Sequence, residues 1–131
     1  MWLNQSMIVQ ILKDIQDIRA ANKKVLVVFD LDSTLFDVSP RTQKILWDFA
    51  DVPVFQTRFP AETQNLKKVT TLRTDWGFDA GLERAGLHTA SEEFRQTLLA
   101  YWRKNFFSNH YLQFDHLYEG AREFLQEIQI K

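Results

Sequence analysis

Two carboxylates one residue apart, Asp30 and Asp32, close the apolar run Val25-Leu26-Val27-Val28-Phe29, and Thr34 follows two residues later. Acids at this spacing suit phosphoryl transfer. A carboxylate can attack phosphorus to form an aspartyl-phosphate, which divides one hard hydrolysis into two easier steps. Asp30 is placed for that role. Asp32 could protonate the leaving oxygen in the first step and deprotonate water in the second, a general acid-base function. Thr34 could hydrogen-bond Asp32 and orient it. Two carboxylates repel a dianionic phosphate, so the arrangement calls for a cation, and Mg²⁺ prefers hard oxygen donors such as carboxylate, carbonyl and phosphate.

The elements around the pair must hold it at an accessible edge. Five consecutive apolar residues, three of them Val, read as a strand covered on both faces, as in a parallel α/β sheet. Ligands of such sheets bind beyond the carboxyl ends of the strands, where Asp30 and Asp32 would lie. Ahead of the run, Ile8, Ile11, Leu12, Ile15 and Ile18 recur at helical spacing, predicting an amphipathic helix over residues 6–20. Beyond the pair, residues 39–107 carry helical patterns only. Ser39-Pro40 predicts a helix start ended by Asp51-Val52-Pro53. Further helices are expected over 61–74 and 80–85, with Gly86 as a stop. A capping box of Thr89 and Glu92 opens a longer helix to Phe107. Val52–Phe55 and His110–Phe114 are short strand candidates. A last helix follows Gly120.

Composition narrows the function. A net charge of −1 lacks the Lys and Arg excess of a general nucleic-acid-binding surface. Eleven Phe, four Trp and three Tyr argue for a packed core and against disorder. With no cysteine there is no disulfide or thiolate chemistry, which suits a reducing cytoplasm. No apolar stretch reaches membrane-spanning length, and His88, His110 and His116 have no metal-ligand spacing.

Asp30-Leu31-Asp32-Ser33-Thr34 after an apolar strand resembles the first motif, Asp-x-Asp-x-Thr, of the haloacid dehalogenase-like (HAD) superfamily. The resemblance implies that Asp30 is the nucleophile and a Mg²⁺ ligand. It gives Asp32 the acid-base role and a place in the metal sphere. Departing halide needs no proton whereas an alkoxide does, so Asp32 favours a phosphatase over a dehalogenase. The implied fold is α/β: the start of a Rossmann-like core, one parallel strand with flanking helices over residues 1–36. An inserted α-helical cap would span 37–118, and a return helix 119–131. In that family the remaining motifs, a Ser or Thr, a Lys and acidic metal ligands, follow the return helix, so the core is expected to be incomplete here. Without the Lys and those acids, transition-state electrostatics would be weakened, and the chain alone should be a poor enzyme.

Residues 37–118 carry ten cationic and ten anionic side chains, so this segment has no net attraction for phosphate. Arg41, just past the motif, is the better substrate-binding candidate, ahead of Lys67, Lys68 and Arg73. The expected substrate is a small phosphorylated molecule, with neither nucleic acid nor membrane as partner. An unpaired strand makes self-association, or completion of the core by another chain, a further expectation. Two alternatives remain: a non-catalytic interaction module, and a fragment of a metal-dependent nucleotide-sugar transferase.

Overall fold

A computed structural model describes residues 5–130. Helix α1 (Gln5–Ala20) buries Leu12 and Ile15 on one face, as its spacing predicts. It ends where Asn22 takes φ = 61°, with Lys23 N–H donating to Ile18 O and Asn22 N–H to Arg19 O. This pair of bonds is a Schellman closure, and Asn is among the few non-glycine residues that tolerate the left-handed position.

The next segment overturns the expected fold class. Residues 25–30 form no strand, and the described residues are 61% helix and 4% strand. One sheet is present among them, pairing β1 (Phe36–Asp37) with β2 (His116–Leu117). An α/β, Rossmann-like start is therefore not what these residues build. The reason lies in pairing: a strand is defined by its ladder, and no backbone hydrogen bond joins residues 24–30 to another described segment. An apolar run records affinity for burial but cannot create a neighbour. Phe29 nonetheless packs edge-to-face on Phe124 of the last helix, with ring centroids 5.9 Å apart.

The chain divides into two compact units, one made of the described residues up to Asp37 and from Leu117, the other of Val38–His116. The second is built of helices: α2 (Ser39–Asp51), α3 (Pro53–Arg58), α4 (Pro60–Leu66), α5 (Asp79–Arg84), α6 (Glu92–Phe106) and α7 (Asn109–Leu112), with His116 of β2 at its end. Proline starts α2, α3 and α4, because its missing N–H falls where a helix has no acceptor to offer. Pro53 thus ends α2 and begins α3, and Val52–Phe55 is not a strand. His110–Phe114 is likewise not a strand, its first residues lying in α7.

The helix expected to reach Thr74 stops at Leu66. Gln43 of α2 explains the stop, since its amide donates to Val69 O at 2.5 Å and accepts from Thr71 N–H at 2.7 Å. One side chain thereby gives residues 69–71 the two bonds a neighbouring backbone would supply. Thr71 Oγ1 also donates to Ser39 O. Gly81 of α5 sits against this stretch, where a Cβ would meet Val69 Cγ1 at 3.1 Å. Gly86 closes α5 in the left-handed conformation, with Leu87 N–H bonded to Leu82 O, as predicted. Helix α6 is capped by Ser91, not Thr89, its Oγ accepting from Phe94 N–H. Phe49 anchors the core of this unit, stacked on Phe55 at 4.1 Å and edge-on to Phe94 and Tyr101.

Arg41 is 1% exposed, lying within this unit. Its Nε and Nη2 donate to the two carboxylate oxygens of Asp115, at 2.7 and 2.5 Å, and Nη1 donates to Phe106 O at 3.0 Å. The guanidinium also lies 4.2 Å above the Phe106 ring. Arg41→Met should cost about 3–5 kcal/mol in chemical denaturation by stranding a buried carboxylate. The double change Arg41→Met/Asp115→Leu should recover most of that loss. A second test concerns acid. The Arg84 hydrogen bond holds the Asp75 carboxyl below its ordinary range, burial opposes this, and Leu72 N–H adds to the lowering. Because the folded value is depressed, this stability is present above about pH 4 and lost as pH falls further. Asp75→Asn should flatten the acid limb of a stability-against-pH curve.

Candidate functional site

Directly after Asp30 the chain turns back tightly. Leu31 O accepts N–H bonds from Leu35 at 3.0 Å and Phe36 at 2.9 Å, with Thr34 at 3.3 Å. Ser33 takes φ = 59°, and its N–H donates to Phe36 O at 2.8 Å. Asp32 and Phe36 form an isolated parallel bridge. A left-handed non-glycine residue is conformationally costly and persists only where neighbouring bonds hold it. Here the bonds onto Leu31 and Phe36 do so. The turn gathers Asp30, Asp32 and Thr34 within five residues of chain.

Within it the two acids differ in setting. Asp30 is exposed, and its Oδ1 accepts the N–H of Leu31 at 2.9 Å. No described cation forms an ion pair with it. Asp32 and Thr34 are half-buried. A carboxylate open to solvent can meet a substrate, and a half-buried neighbour is better held for proton transfer. Mg²⁺ keeps several waters and binds through one or two carboxylates together with substrate phosphate, so the donor chemistry of this pair suits it. Among the described residues no group of three or more His, Cys, Asp or Glu is arranged to hold a metal. A cation at the pair would need its remaining donors from water or substrate.

Arg41, the cationic candidate, belongs to the helical unit, and its guanidinium fork is engaged by Asp115. It is a structural clamp in this geometry. Asp115 and Gln43 carry key contacts that the sequence did not flag, because their partners lie 74 and 26 or 28 residues away. A depression of about 240 Å³ lies between Ala50, Gln56, Pro60, Thr63, Gln64 and Lys67. It falls below the volume usual for small-molecule pockets, and it contains none of Asp30, Asp32, Thr34 and Arg41; Lys67, a lesser substrate-binding candidate, lines it and is ion-paired with Asp51.

Comparison with protein-family models, with curated proteins and with solved structures gave no match.

Proposed function

We propose that Asp30 and Asp32 carry Mg²⁺-dependent phosphohydrolase chemistry on a small phosphorylated substrate, by way of an aspartyl-phosphate on Asp30. The observation that supports this reading most is the placing of the two acids: the outer one is open to solvent at the start of a tight turn and the inner one is half-buried within it. Asp30 would attack phosphorus, and the P–O bond to the alcohol would break. Asp32 would deliver a proton to the departing oxygen, then take one from the water that cleaves the aspartyl-phosphate. Thr34 would steady Asp32. Asp30 and Asp32 would hold Mg²⁺, which when bound offsets the negative charge of the phosphate.

The same placing supports low activity. No described cation is paired with Asp30, so Asp30 brings no preorganised positive charge of its own to the phosphoryl group. The absence of cysteine supports a reducing compartment such as the cytoplasm. No described helix is long and apolar enough to cross a membrane.

Calorimetric titration with Mg²⁺ should show binding that Asp30→Asn and Asp32→Asn each weaken by about tenfold or more. Hydrolysis of para-nitrophenyl phosphate by the 131-residue chain should be slow, Mg²⁺-dependent and lost in Asp30→Asn. Mg²⁺ affinity indifferent to both substitutions would sink the proposal, as would hydrolysis that survives Asp30→Asn.

A further inference from the structure

Exposure along residues 24–30 alternates residue by residue. Lys24, Leu26, Val28 and Asp30 are exposed, while Val25, Val27 and Phe29 are half-buried. Period two is the signature of an extended chain with opposite faces. One face is covered, as the Phe29–Phe124 contact shows. The other is bare, with Leu26 87% and Val28 81% exposed. No backbone hydrogen bond joins these residues to another described segment. Exposed apolar side chains on a segment with unpaired backbone groups form a template for another strand.

We propose that residues 24–30 pair antiparallel with the same residues of a second copy of this chain, about a twofold axis at Val27. Charge selects this occupant and this direction. The bare face reads Lys24, Leu26, Val28, Asp30, cationic at one end and anionic at the other. Antiparallel self-pairing about Val27 sets Lys24 of one copy opposite Asp30 of the other, and Leu26 opposite Val28, each pair occurring twice. Directly opposed residues share a face, so the two ion pairs flank a closed apolar patch. Parallel in-register pairing would set Lys24 against Lys24 and Asp30 against Asp30, which like-charge repulsion disfavours. The arrangement is isologous, the commonest form of homodimer contact. It stands independently of the phosphohydrolase reading. Its consequence for that site is an ammonium from each copy beside the acid pair of the other.

Strand pairing of this length buries less than a standard interface, so the dimer should be reversible, with Kd no tighter than about 1 µM. Sedimentation velocity over a concentration series should show a monomer–dimer equilibrium. Lys24→Asp and Asp30→Lys should each weaken it by about fivefold or more. The double variant Lys24→Asp/Asp30→Lys restores opposite charges and should recover dimerisation. The absence of native cysteine permits a register test that does not depend on affinity. A mixture of Leu26→Cys and Val28→Cys chains should form a mixed disulfide faster than either variant alone, because opposed Cα atoms in an antiparallel pair lie about 4.5–5.5 Å apart. Circular dichroism confirms that each variant keeps its helices. A chain that stays monomeric, a double variant no tighter than the singles, open-ended aggregation, or a mixed disulfide no faster than the homodisulfides would overturn the proposal.

Discussion

The Arg41–Asp115 pair closes the helical unit. The unit runs from Val38 to His116, and this one bidentate contact ties its fourth residue to its last but one, across 74 positions of chain. A guanidinium fork matches a carboxylate in two bonds at fixed orientation, so it sets where the two ends meet as well as how firmly. A third bond to Phe106 O and the ring of Phe106 bring the end of α6 to the same place. Burying a charge costs several kcal/mol unless its partner is buried with it in good geometry. That cost makes the closed arrangement specific, because an opened one leaves charge stranded in an apolar interior.

Polar side chains do related work elsewhere in the unit. Gln43 gives an irregular stretch the hydrogen bonds of a neighbouring strand. Tyr111, packed among apolar residues, donates from its hydroxyl to Asp48, and burial together with neighbouring Tyr101 and Asp48 holds its phenol protonated well above the usual range. The apolar core around Phe49 supplies burial free energy without direction. These few long-range polar contacts supply the direction.

The other unit shows the reverse condition. Its segment 24–30 has the composition of an interior strand and, among the described residues, none of the backbone partners. The turn that follows is tightly bonded within itself, so the acids at its mouth are held locally while the stretch leading to them remains open to pairing. Chemistry at Asp30 and association through residues 24–30 would thus share one short piece of chain.

What the sequence determined by itself was local. The period of α1, the break at Pro53, the left-handed stop at Gly86 and the helix after Gly120 are each consequences of steric and hydrogen-bonding rules acting within a few residues. The juxtaposition of Asp30, Asp32 and Thr34 was legible for the same reason, being set by spacing along the chain. The capping of α6 missed by two residues, because Thr89 and Ser91 are both competent caps and only packing chooses between them. Tertiary structure alone decided the rest. Arg41 read as a substrate contact and became a clamp, since its partner lies far along the chain. Val25–Phe29 read as a parallel strand and has no strand partner among the described residues, since hydrophobicity reports a demand for burial whereas a sheet needs a second backbone at hydrogen-bonding distance.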